Sequence, residues 1–78
     1  MTDNSAERVK QVVREVLGER ASQIFLGRVD KIIDEAGADR ARLAEACSRV
    51  MKMVNLFIGV EEAIVIEKRC KDILGKAA

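Results

Sequence analysis

Thiol chemistry in this chain rests on two side chains, Cys47 and Cys70. A thiolate can attack an electrophile, close a disulfide or hold a metal ion, but each role needs company: a base, a second thiol or further ligands. The sequence contains no histidine, which removes the commonest general base, the commonest metal ligand and the carrier of a phosphohistidine relay. A structural zinc site wants four Cys or His ligands. One chain supplies at most two thiolates, and only a symmetric dimer would complete a four-cysteine set. No glycine-rich phosphate loop, nucleophile elbow or calcium-loop pattern occurs, and the carboxylates alternate with Lys and Arg at the helical spacing of a solvated face. The expectation is therefore no catalytic residue, no cofactor and no metal, with both cysteines serving as small buried hydrophobes.

Three other groups of side chains have the types for recognition. Met51 and Met53 flank Lys52 beside an apolar run, where a flexible thioether fills irregular gaps in a core or an interface. Lys68, Arg69 and Lys71 form a basic cluster in the last helical turns, a place that favours cations; Glu67 can pair with Lys71, and an acidic partner is a secondary reading. The segment Ile32 to Leu43 has the helix, glycine turn and helix spacing of a helix-turn-helix. Arg40, Arg42 and Arg49 are then the candidate DNA contacts, with Arg28 or Lys31 assisting. Against that reading stand Asp34, Glu35 and Asp39 where phosphate would approach, and Ile33 where such motifs prefer a small residue. A net charge of +1, from 14 Lys and Arg against 13 Asp and Glu, also lacks the basic excess of a dedicated nucleic-acid binder.

The elements that carry these residues read as helices. In 78 residues, 49% apolar and 35% charged with no proline, the composition favours one small all-α domain rather than a disordered chain. The expected organisation is a disordered tail over 1–5, a helical domain over 6–75 and a frayed end over 76–78. No apolar stretch reaches the roughly 18 to 20 residues that span a bilayer, and the first residues lack the order of a secretory signal. With two cysteines read as reduced thiols, the expected location is the cytoplasm, with no membrane partner.

Val9, Val12, Val13, Val16 and Leu17 form the apolar stripe of a first helix capped by Asn4 or Ser5, and Gly18 either ends that helix or lies within a longer one. A second helix is expected from about Glu19 to Ala36, its stripe made by Ile24, Phe25, Val29, Ile32 and Ile33. Gly37 is its stop and Asp39 the cap of the next. Leu43, Cys47, Val50, Val54 and Phe57 recur at alternating steps of four and three, the seam of coiled-coil-like packing. After Gly59 a fourth helix carries Val60, Ala63, Ile64, Ile66, Cys70, Ile73 and Leu74. The β-prone run Ala63 to Ile66 leaves a short hairpin around Gly59 as the alternative.

Shifting the chain against itself by 41 residues lays Val9 on Val50, Val13 on Val54, Gly18 on Gly59, Ile24 on Val65 and Val29 on Cys70. Two pseudo-equivalent helical hairpins, each covering the other's stripe, produce such a pattern. The second is the more apolar: Lys10 corresponds to Met51, Glu15 to Leu56 and Gln23 to Ile64. The excess defines a candidate dimer or partner interface of Met51, Met53, Leu56, Phe57, Val60 and Ile64, since monomers seldom leave so large a patch in water. The expected protein is a non-catalytic regulatory or protein-interaction module, homodimeric, whose partners are a second copy and an unidentified protein. The alternatives are a helix-turn-helix DNA-binding regulator and a small-ligand sensor or enzyme, the ligand reading requiring an apolar pocket between the third and fourth helices.

Overall fold

The computed structural model describes residues 4–37 and 39–75. Four α-helices, α1 (Ser5–Leu17), α2 (Gln23–Ala36), α3 (Arg40–Phe57) and α4 (Val60–Gly75), account for most of them, and a single 3-10 turn, Gly18–Arg20, follows α1. No strand occurs among the described residues, so the region around Gly59 is a helix-to-helix turn and the hairpin alternative is discarded. The expected tail and frayed end fall largely on 1–3 and 76–78, outside the described residues. Within them, Ser5 is already buried in the first turn of α1, one residue before the anticipated start.

The helix boundaries follow local chemistry. Asn4 leads into α1 through its carbonyl, which accepts from the Arg8 N–H at 2.9 Å, while its side chain makes no capping bond. Gly18 has φ +53 and ends α1. The second helix does not begin at Glu19 as expected: the 3-10 turn and an extended, buried Ala21 intervene, and Ser22 caps α2 by accepting from the Phe25 N–H at 3.1 Å. Serine at this position satisfies one of the free N–H groups that a helix start leaves. Gly37, at φ +62, closes α2, and the Asp39 side chain accepts from the N–H groups of Ala41 and Arg42 at 2.9 and 3.2 Å to open α3.

Each helix packs on its neighbours in sequence, and α1 also packs on α4, closing a ring of four. Ion pairs mark the antiparallel register of α1 and α2. Lys10 pairs with Asp34; four residues further along α1, Arg14 pairs at 2.5 Å with Asp30, four residues back along α2. Glu15 meets Arg69 at 2.9 Å across α1 and α4, and Arg20 meets Glu62 at 2.5 Å. The core inside the ring holds Val9, Val13, Leu17, Val29, Ile33, Leu43, Val50, Val54 and Ile66, all essentially without exposure. Each such side chain contributes roughly 1.5–3 kcal/mol relative to an exposed one, whereas exposed ion pairs contribute up to about 1 kcal/mol. The core therefore holds the bundle and the ion pairs set its register. The radius of gyration, 11.5 Å, is that of a close-packed chain of this length.

Two tests follow from these boundaries. Gly37→Ala places a Cβ where L residues are strained and should cost about 1–3 kcal/mol. Gly27→Ala, in the exposed middle of α2 with open space around it, should instead stabilise by roughly 0.5–1 kcal/mol; urea unfolding separates the two. The second concerns Lys10, whose hydrogen bond to Asp34 holds its pKa above the ordinary 10.5. Because the folded value is the higher one, this contribution is complete below pH 10.5 and disappears as pH rises through the folded value. Asp34→Asn should thus lower stability by less than about 1 kcal/mol at neutral pH, and its difference from the parent should shrink at strongly alkaline pH.

Candidate functional site: an apolar end and a thiol-lined groove

The antiparallel ring places the turn after α1, the start of α2, the end of α3 and the start of α4 at one end of the bundle. The exposed large apolar residues lie toward this end. Leu56 is 79% exposed, Ile24 76% and Phe57 72%, with Val60, Ile64 and Val65 about half exposed. Phe25 and Phe57 touch edge to face, with ring centroids 6.1 Å apart, so the start of α2 and the end of α3 form one surface. These are the only phenylalanines in the sequence. Neither fills the core, which is built instead from Val, Ile, Leu, Ala and Cys.

Of the six anticipated interface residues, Leu56, Phe57, Val60 and Ile64 are exposed toward this end. Met51 and Met53 do not: both are half-buried and pack against the core, because α3 is still enclosed by its neighbours one turn before its end. Phe57 was also expected to continue the seam of Leu43, Cys47, Val50 and Val54, and it does not. The helix ends there, the Ile58 N–H closes on the Val54 carbonyl at 2.8 Å, and Ile58 rather than Phe57 packs against the core. Ile24, read from its spacing as a stripe residue, is outside the core because it lies in the first turn of α2. Ile24 and Val65 are the two contributors missed by sequence reasoning. The 41-residue shift that pairs them was the available signal.

Charge surrounds this end in both signs. Arg20, held by Glu62, shares a groove with Val16, Glu61, Glu62 and Val65. At the opposite end, Arg42 and Arg49 line a groove between α2 and α3 together with Glu35 and Glu45. Carboxylates thus sit among the cations proposed for DNA, and Arg40 opens the helix directly after Asp39. In α4, Lys71 pairs with Glu67 at 3.2 Å and Arg69 is engaged by Glu15, so the basic cluster is partly neutralised.

A second feature lies between α3 and α4. A groove of about 540 Å³, mainly apolar, is lined by Ala44, Cys47, Ser48, Met51, Glu67, Cys70, Lys71, Leu74 and Gly75. It has the position that a small-ligand reading requires and a volume within the usual range of such sites. Cys47 and Cys70 are free thiols, both buried at its floor. Cys47 lies on α3 and Cys70 on α4. The hydrogen bond with Cys70 lowers the pKa of Cys47, while the same bond and burial push that of Cys70 far up. No group of three or more Cys, Asp or Glu positioned to hold a metal ion occurs among the described residues, and no described helix is long and apolar enough to cross a membrane.

Compared with protein-family models, curated proteins and solved structures, the chain matches none. The contrast between the core and the apolar end is measurable: Ile66→Ala should cost about 2–5 kcal/mol, whereas Leu56→Ala should change unfolding in dilute solution by less than about 0.5 kcal/mol.

Proposed function

We propose that this protein is a non-catalytic interaction module of the cytoplasm that assembles as a homodimer through the apolar end of its bundle. The observation that carries the reading is the exposure of Leu56, Phe57, Val60, Ile64 and Ile24 toward one end of the bundle, where large aromatic and aliphatic side chains are typical of interfaces. A second copy is the occupant best matched to this surface. In a twofold interface each residue meets the equivalent patch, so a rim that contains both Arg20 and Glu61 complements itself. A partner of a single charge sign would find half of that rim repulsive.

The two hairpins, α1 with α2 and α3 with α4, are proposed as versions of one motif. The burial of Val9 and Val50, Val13 and Val54, and Val29 and Cys70 at matching positions supports this. The second hairpin's excess of apolar residues then specialises it for assembly. The regulatory role would lie in a further, unidentified protein bound by the charged faces of α1 and α2, which a dimer presents twice. DNA recognition has less support, since Glu35 and Glu45 share the groove of Arg42 and Arg49 and would repel phosphate.

Leu56→Glu and Phe57→Glu test the proposal by sedimentation at equal concentrations. Burying an unpaired carboxylate in the interface should dissociate the dimer at least tenfold more readily, with helicity unchanged because both residues are exposed within the chain. Dimers as tight as the parent's in both variants would refute the placement of the interface.

A further inference from the structure

The cations of this bundle divide into two sets. Lys10, Arg14, Arg20, Arg69 and Lys71 are each engaged by a carboxylate, all but Lys71 by one on another element. Arg28, Lys31, Arg42, Arg49 and Lys52 form no ion pair among the described residues, and all five stand exposed on α2 and α3. Two further exposed cations without an ion pair among the described residues, Arg8 and Lys68, lie apart from these on α1 and α4.

Helical spacing gathers the five. On α3, Arg42, Glu45, Arg49 and Lys52 recur at steps of three, four and three, and on α2 Arg28, Lys31 and Glu35 recur at three and four. Each set therefore lines one side of its helix. The two sides adjoin, because Ile32 and Glu35 share a groove of about 210 Å³ with Arg42, Glu45 and Arg49. Five cations against two carboxylates, in a chain whose net charge is +1, concentrate positive charge on this face and leave the rest of the sequence net negative.

We propose that the face between α2 and α3 binds an acidic amphipathic helix of a partner protein. This rests on the reading of the chain as an interaction module, gives the unidentified partner a chemistry, and does not depend on the dimer. The register of the bundle is set by the other cations, so these five are spare; their mutual repulsion is relieved by a partner of opposite sign. Arg42 to Lys52 spans about 15 Å along α3, roughly three turns of a partner helix, whose carboxylates at steps of three and four would follow the same line. Ile32, Ala36 and Ala46 add apolar surface to the groove, where one aliphatic side chain of that helix can rest. Glu35 and Glu45 set the partner class. They repel the unbroken negative charge of a nucleic-acid backbone, whereas a protein segment can present a lysine or a neutral side chain to them.

Fluorescence anisotropy of the full chain at low ionic strength, where exposed charges are least screened, tests the proposal. The probe is a labelled helical peptide of about sixteen residues with glutamates along one face, leucine beside them and alanine elsewhere. The expected result is binding at least about tenfold tighter than that of the same peptide with glutamine for glutamate, weakening as salt is raised. Arg42→Glu combined with Arg49→Glu should lose at least about tenfold and should instead capture the lysine version of the peptide, a gain that an unfolded variant would not show. Arg8→Glu combined with Lys68→Glu makes the same change of net charge on other helices and should lose less than about twofold. Equal losses in the two double variants would overturn the proposal, since net charge rather than this face would then attract the peptide. So would absence of binding by the parent chain, or tighter binding of a DNA duplex of equal charge. Sedimentation of the parent reads the dimer separately: peptide bound by a monomer would sustain this face and remove the proposed dimer interface, and a dimer that ignores the peptide would do the reverse.

Discussion

The packing of α1 on α4 is the contact on which the fold depends. Each helix bears an apolar stripe wide enough to need two neighbours, and hairpin formation alone supplies one neighbour to α1 and one to α4. Only their mutual contact closes the ring around the core. It is also the contact most distant in sequence, so its loop-closure cost falls after the local hairpins are in place. The ion pair of Glu15 with Arg69 lies on this seam, and Arg20 with Glu62 fastens the turn after α1 to the start of α4. These pairs select the register; the buried valines and isoleucines provide the stability.

Closing the ring has a geometric consequence for function. A small four-helix core is filled by the side chains on the inward stripes, and residues in the terminal turns of α2, α3 and α4 lie past it. The chain puts its bulkiest apolar groups there rather than charged caps. Phe57 stands largely in water while Val54, three residues earlier, is wholly enclosed. Stability of the single chain does not require that arrangement, since exposed aromatic surface contributes little to folding. Assembly gives it a physical purpose: at an interface the same side chains exclude water and fix orientation.

Much of this architecture was legible in the residues. Gly37 followed by Asp39 marked the turn between α2 and α3, because one residue must adopt positive φ and the next must cap a helix. The steps linking Leu43, Cys47, Val50 and Val54 named the inward face of α3. The failures occur at helix ends, where periodicity stops reporting burial. Ile24 and Phe57 keep the spacing of their stripes but sit beyond the enclosed turns. Gly18 marks the end of α1 but not the start of α2, which the 3-10 turn delays until the Ser22 cap. Met51 and Met53, read as filler of a core or an interface, pack against the core, because a pattern read along one helix does not show how deeply its neighbours enclose it. The facing of Cys47 and Cys70 depends on the relative register of α3 and α4, which neither helix encodes alone.

Light scattering of the unaltered protein across a concentration series bears most directly on the central claim, that the apolar end is an interface between two copies. A mass of twice the 8.6 kDa chain, falling toward one chain only at high dilution, is the expected result. A mass of one chain throughout the series, up to millimolar concentration, would contradict it.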